Sequence, residues 1–535
     1  MLKFWIRKVR SGEPVWIDDF RAACEKEERS RKVTFRLTLF SGEQRRFGYA
    51  VPPFETPEER ALLLDYLSAL IYNMLSALGG QRLCISCGEA DAELIRLLEE
   101  TKRRFLAPGA GYPRIVRELS RICRTLGLEP FSFSSEEEAP QETASAAPAD
   151  PASPAGRLRK AAELACRGAR AGIDVGGTDI KFVLAVDGEI AAFEEYDWNP
   201  MTFSTAEETL TPIVSRLRQL QEGKADALDS IGVSYPDVVL RDRICGGETP
   251  KTLGMRNNPA LDYETEFAKI SRLKEVLQPL CRPGAPIRIT NDGNMAAYTA
   301  ALELACSGED ASLARGTFAH ALGTSLGSGW LDASGKIPEI PLELYDLIID
   351  LGSETKRCRD ARDLRSVRNE NSWLPGADRY VGQAAAFRYA WELAPELLSG
   401  YAAEKDGILA IRREGTDLRK ACLEHLCRKT EEGEPAAEEI FREIGRAFGR
   451  VSREAQLLLA PETPARTVFG RFVKKPACFR CIREGFSEIL PDIALIRADE
   501  DLAVSPLMKK LSETEGITVA QFGQAVGAVC FGAEE

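Results

Sequence analysis

The sequence predicts an α/β protein of more than one compact unit, and three observations carry that prediction. Residues 171–193, AGIDVGGTDIKFVLAVDGEIAAF, place a glycine-rich loop between two strands. Residues 285–305, APIRITNDGNMAAYTAALELA, read as a short strand that passes through a polar turn into a small-residue helix. Residues 134–156, SSEEEAPQETASAAPADPASPAG, are rich in Ala, Pro, Ser and Glu with almost nothing to bury, so they read as a solvated linker after a first α/β unit.

That first unit occupies residues 1–133. Val33, Phe35, Leu37 and Leu39 alternate as a strand, Ser41-Gly42 turns the chain, and Phe47 to Val51 returns as its partner. Thr56, Pro57 and Glu59 form a capping-box start for a helix that Gly79-Gly80 stops. Arg82 to Cys87 reads as another strand, and Asp91 to Phe105 and Tyr112 to Leu126 as amphipathic helices. A helix-turn-helix needs two short adjacent helices with a basic recognition face, whereas here one long apolar helix is flanked by strands. A packing or oligomerisation role is the expectation for this unit.

The glycine-rich loop after the linker opens a β-meander. Beyond Gly176, Gly177 and Thr178 the apolar side chains fall at Ile180, Phe182, Leu184 and Val186, the period of two that marks a strand. Asp187-Gly188 supplies the positive φ angles of a tight hairpin, and Ile190 to Phe193 runs back. Dinucleotide-binding and Walker-type loops lead into a helix N-terminus, which this loop does not. What it offers is backbone N–H groups open to a phosphate, with Asp174 at its start to face a metal ion and Thr178 to donate a hydrogen bond.

Asp292 falls at a strand's carboxyl end, where open α/β sheets place ligand-binding residues. A carboxylate there suits a general base that takes the proton of an attacking hydroxyl; the same Asn-Asp-Gly run also suits a turn and a helix cap. A second glycine-rich hairpin follows at residues 320–337, HALGTSLGSGWLDASGKI. Upstream, Lys251, Arg256, Asn257 and Asn258 suit a polar or anionic substrate, and equally a solvated surface loop.

Taken in order, DVGGTDIK, TNDGNMAA and LGTSLGSG resemble the ROK family of sugar kinases and sugar-responsive regulators, from about residue 171 to the C-terminus. ALDYETEF, LLLAPETPARTVFGRF and FGQAVGAVCFG add to the resemblance. It implies the two-lobed actin-like ATPase fold, ribonuclease H-like in each lobe, with a first lobe at 157–305 and a second at 306–535. It also implies ATP with Mg2+ and a small sugar-like substrate in the cleft. By the same resemblance Asp292 is the catalytic base and Asp174 the magnesium residue. Gly176, Gly177, Thr178, Lys181, Gly323, Thr324, Gly327 and Gly470 are the nucleotide and phosphate residues. Asn291, Asp292, Glu343 and Asn257 are the substrate residues. Arg471 replaces the second glycine that usually follows Gly470, and Asp346 stands where the family's sugar-binding histidine would be. No CxCGxxGC run follows, so the family's zinc site is not expected. Residues 352–435 read as an inserted helical cap. The expected activity is ATP-dependent phosphorylation of a sugar-like hydroxyl, with a non-catalytic sensor as the alternative and a second copy of the chain as a candidate partner.

Composition agrees with these expectations. The chain has 535 residues, 44% hydrophobic and 28% charged, which suits roughly three or four compact units. A net charge of -12 argues against general affinity for nucleic acid or anionic membranes. No apolar run is expected to reach the roughly 20 residues that span a bilayer. MLKFWIRKVRSGEP lacks a signal peptide's apolar stretch, and a cytoplasmic location is expected. The 14 cysteines are scattered. Cys84 with Cys87 and Cys478 with Cys481 have metal-like spacing, but with only His320 and His425 in the chain they read as reduced thiols.

Overall fold

The structure is a computed structural model that describes residues 1–87, 91–108, 111–134, 153–247, 249–351, 376–401, 416–499 and 501–534. The first lobe is built on a five-stranded sheet made from β5 (Ala169–Val175), β6 (Asp179–Val186), β7 (Glu189–Asp197), β8 (Ser230–Tyr235) and β11 (Ile287–Asn291), in the order β11-β8-β5-β6-β7. β5, β6 and β7 form an antiparallel meander, while β8 and β11 run parallel to β5. This is the ribonuclease H-like arrangement. The β6–β7 hairpin closes as expected, with Asp187 and Gly188 at φ 48 and 85.

The C-terminal helix Val519–Ala533 lies directly on this sheet because two strand glycines admit it. A Cβ at Gly172 would stand 1.9 Å from Ala525 O, and one at Gly232 would stand 1.8 Å from Ala528 O. Together with the helix Asp292–Ser307 it fills an apolar layer between the lobes, in which Val183, Met295, Leu302, Ala319, Leu331, Val526 and Val529 are buried.

The second lobe carries β12 (Thr317–Leu322), β13 (Leu326–Leu331), β14 (Ala465–Phe469) and β15 (Ala494–Arg497), in the order β13-β12-β14-β15. Its hairpin is not followed by a third meander strand. The chain instead runs through the 3-10 turn Leu344–Asp346 to Leu351 and bonds to the N-terminal unit. Leu342 N donates to Ala77 O at 3.0 Å, Glu343 N to Ser76 O at 3.1 Å, Ile17 N to Ile349 O at 2.9 Å and Leu351 N to Val15 O at 2.8 Å.

The N-terminal unit has its own sheet, β2-β1-β3-β4, from β1 (Arg31–Thr38), β2 (Gln44–Val51), β3 (Arg82–Cys87) and β4 (Ser132–Ser134). The Thr56 capping box forms: Thr56 Oγ1 accepts from Glu59 N at 3.2 Å and the Glu59 carboxylate accepts from Thr56 N at 3.1 Å. The helix it starts, Pro57–Leu78, corrects the expectation that no segment is long and apolar enough to cross a membrane. It has 22 residues and a mean hydropathy of 1.5, and 94% of its apolar window is buried inside the protein, as a core helix requires. The unit's core is not separate. One apolar cluster runs from Phe20, Val33 and Leu70 through Ile348 to Phe441, Phe448 and Phe486 of the second lobe. A buried Arg21–Glu454 ion pair at 2.7 Å and the pairs of Asp18 with Arg450 and Arg453 join the same two units.

The linker's interior, residues 135–152, lies outside the described residues. Its expected end at Gly156 is corrected: a helix already begins at Pro154, because Ser153 Oγ accepts from Gly156 N at 3.1 Å and caps it. Of the inserted cap, the helices Asp378–Val381, Gln383–Leu393 and Thr416–Glu431 are described; 352–375 and 402–415 lie outside.

Candidate active site at the strand ends

Register places the carboxyl ends of three parallel strands side by side. Asp174 on β5 stands opposite Ser234 on β8, and Ser234 opposite Thr290 on β11. Burial pushes the Asp174 carboxyl up to about 6; the Ser234 hydroxyl and the Lys181 ammonium oppose that shift, and the Asp292 and Asp179 charges reinforce it. Asp174 thus faces the Asp292 charge across the strand ends.

Asp292 is the first residue of its helix, and the cap is its neighbour. Asn291 Oδ1 accepts from Gly293 N at 2.9 Å and Asn294 N at 3.4 Å, while its Nδ2 donates to Asp237 O at 3.0 Å. The helix is expected to start near Asn294; it starts two residues earlier because this cap satisfies its first N–H groups. β13 locks the start in place. A Cβ at Gly329 would lie 1.8 Å from Gly293 O, and Asn294 Oδ1 accepts from Trp330 N at 3.1 Å.

Sequence reasoning missed two residues of this cluster. Gln524 Nε2, from the C-terminal helix, donates to Ser234 Oγ at 2.8 Å and to Asp292 O at 3.1 Å, tying β8 to the start of the Asp292 helix. A glutamine inside the apolar run FGQAVGAVCFG was the available signal. Ser234 gave none, being one of six buried residues of β8.

In the first loop Gly176 is committed to structure: its N–H bonds Asp179 O at 2.8 Å and its carbonyl accepts from Trp198 Nε1 at 3.1 Å. Gly177 and Thr178 are exposed, and Thr178 Oγ1 donates to Asp179 Oδ2 at 3.1 Å. Lys181 is turned inward. Its ammonium bonds Asp179 and lies 3.5 Å from Glu195.

The second loop turns from β12 to β13 through Gly323 and Thr324, with Gly327 opposite Ala321 in the hairpin. The inserted helices meet this loop: Gln383 N donates to Gly323 O at 2.9 Å, and a Cβ at Gly382 would lie 2.9 Å from Thr324 O. Gly470 is beside it at φ 106, with space for a Cβ only 2.6 Å from Leu322 O, so glycine is required there. Arg471 opens the short helix Arg471–Lys474 and reaches Glu424 at 4.0 Å.

The N-terminal unit packs against the segment that holds Glu343 and Asp346. Asp346, 2% exposed, accepts from Tyr72 OH at 2.7 Å and pairs with Arg114, which also bonds Glu118 at 3.0 Å. Burial holds the Glu343 carboxyl well above the usual carboxylate range, with the Glu118 charge adding to it. Ser76, Arg114, Glu118, Glu343, Tyr345 and Asp346 enclose a cavity of only about 10 Å³. Farther along the same helix, Tyr112–Thr125, Arg121 bonds Glu264 at 2.6 Å and Gly246 O at 2.5 Å in the first lobe. One N-terminal helix therefore touches both lobes. Asn257 sits elsewhere, exposed at the end of the helix Leu253–Arg256. Among the described residues no three His, Cys, Asp or Glu side chains gather as a metal site.

A sequence model of the ROK family matches residues 170–331. That span holds Asp174, Asp292 and both glycine loops and ends before Glu343, Asp346 and Gly470. No curated protein matches the chain. The solved structures it is similar to include a ROK family glucokinase from Streptomyces griseus in complex with glucose and AMPPNP, at 20% identity over 69% of this chain and 100% of that one, TM-score 0.41. They also include a ROK hexokinase from Thermus thermophilus, at 18% identity over 64% and 97%, TM-score 0.39. A third is a ROK family transcriptional regulator, a homolog of the E. coli MLC protein, at 12% identity over 88% and 99%, TM-score 0.41.

Proposed function

From the ROK family match of residues 170–331, we propose that the protein transfers the terminal phosphoryl group of ATP to a hydroxyl of a sugar or sugar-like metabolite. The observation that carries this is that Asp174 on β5 and Asp292, just after β11, stand at the carboxyl ends of the two parallel strands that flank β8, with the exposed Gly177-Thr178 loop following Asp174.

Asp292 accepts the proton of the attacking hydroxyl as its oxygen bonds the terminal phosphorus; the bond from that phosphorus to the bridging oxygen breaks, and ADP leaves with the electron pair. Backbone N–H groups at Gly177-Thr178 and at Thr324 hold phosphate oxygens, while the Gly323 N–H closes its own turn on Ser325 O, and Gly470 lets the backbone approach the adenosine side. Asn291, spent on its cap, holds Asp292 in place, and Glu343 hydrogen-bonds an acceptor hydroxyl. Asp174 fits a magnesium ion, since a carboxyl raised by desolvation, with the Asp292 and Asp179 charges adding to it, is relieved by a dication. Mg2+ commonly takes one or two carboxylates beside substrate phosphates, and it would neutralise the polyphosphate charge there.

The test is incubation with ATP-Mg and a metabolite extract, followed by a search for masses raised by one phosphoryl group. Asp292→Asn is expected to abolish transfer while ATP binding persists; a fully active variant removes the mechanism.

One observation favours a second reading, a non-catalytic sensor. Asp346, in the place of the family's sugar-binding histidine, is tied to Arg114 and Tyr72 of the N-terminal unit, which links that side of the cleft to the extra unit. Calorimetry that finds sugar binding without ATP affinity, and no transfer, selects the sensor.

A further inference from the structure

We propose that Lys251 is the cation that meets the transferred phosphoryl group, a role that rests on the phosphoryl-transfer reading above. Phosphoryl transfer spreads negative charge over three oxygens and needs a cation near the attacking and leaving atoms. Lys181, the cation expected from the loop motif, is consumed by Asp179 and Glu195. Lys251 stands over the loop's open face instead. A Cβ at Gly177 would lie 3.6 Å from Lys251 Cε, so the ammonium overhangs the backbone that is left free for phosphate.

Its partners leave it available. The Nζ makes one long bond, 3.4 Å to Pro236 O, and among the described residues no carboxylate takes it in an ion pair. The nearest acid it influences, Asp237, has its oxygens occupied by Val238 N at 2.6 Å and Gly247 N at 3.0 Å. Two of the three ammonium hydrogens remain for a ligand.

The placement lies between donor and base. Asp237 O holds Asn291, the cap that positions Asp292, while Gly177 belongs to the donor loop. The turn is rigid. Thr252 Oγ1 donates to Gly247 O at 2.8 Å, Arg256 to Thr249 O at 2.9 Å, and Gly254 packs so closely that a Cβ would lie 2.5 Å from Phe203 O. A compact ammonium on such a support suits a point charge aimed at one phosphoryl group.

Lys251→Met and Lys251→Arg, compared with wild type for transfer and for calorimetric binding of inorganic tripolyphosphate, test the role. Loss of a single charge-stabilising donor predicts kcat about 100-fold lower for Lys251→Met, with partial recovery in Lys251→Arg. Tripolyphosphate binding weakens in the methionine variant while the thermal midpoint holds; Lys251→Gln serves if methionine does not fold. Unchanged transfer and tripolyphosphate binding overturn the role of Lys251 and leave phosphoryl transfer standing. A wild type that binds tripolyphosphate through Lys251 yet transfers nothing keeps the role and overturns the acceptor chemistry. A wild type that binds no tripolyphosphate removes both.

Discussion

Asp237 carries the clearest pH signature in the molecule. Burial pushes its carboxyl from the usual 3.8 up to about 6, against the pull of the Gly247 and Val238 N–H groups and the charges of Lys251 and Arg121. Because the folded state keeps this proton up to about pH 6 while the unfolded chain loses it near 3.8, the fold binds more protons in that window. Stability from this group is therefore present at low pH and lost as pH rises through 6, by about 3 kcal/mol at most. Thermal melts of wild type and Asp237→Asn from pH 4 to 7 are expected to show the variant gaining relative to wild type as pH rises. Parallel curves would dismiss the assignment. At this scale the sequence placed Asp174 at the start of a glycine loop and Asp292 at a strand's carboxyl end, because motif order is local. It left Asp292 between base and cap, since only the third dimension shows that Asn291 already fills the cap.

The C-terminal helix shows what an element contributes to the site. It rests on β5 and β8 through Gly172 and Gly232 and delivers Gln524 to Ser234 and Asp292. Gly232→Ala would drive a Cβ into the Ala528 carbonyl, so urea denaturation is expected to show a loss of about 2–3 kcal/mol, as overpacked cores do. Gln524→Leu keeps the packing and removes both hydrogen bonds. It is expected to lower kcat with ATP affinity held, because Ser234 and Asp292 lose their shared tie; an unchanged kcat would leave Gln524 a purely structural bond. Strands and helices were legible from period and punctuation: the Thr56 capping box, the Asp187-Gly188 hairpin and the helix stop at Gly79 all form. Glycines such as Gly172 and Gly232 were not, because their purpose is a partner helix some 300 residues away.

Across the whole molecule, the N-terminal unit behaves as part of the second lobe and as a strap to the first. It shares a continuous apolar core with the second lobe, a core that Val238, Leu240 and Cys245 of the first lobe also join, and its hold on the first lobe adds the charged contact of Arg121 with Glu264. Arg121→Ala is expected to speed hydrogen exchange in residues 246–270 while residues 435–459 keep their protection. Equal exchange in both segments would deny the strap. A chain lacking residues 1–133 is expected to aggregate or lose cooperative unfolding, since Ile348, Phe441 and Phe448 would face water.

The sequence by itself determined the meander, the order of the two glycine loops and the carboxylates at the strand ends, because turn chemistry and side-chain periodicity act over a few residues. Only the tertiary structure decided that Lys181 is spent on Asp179, that Lys251 overhangs Gly177 and that Arg114 pairs with Asp346. Those outcomes depend on which distant segments share one buried volume, where desolvation drives charges to find partners.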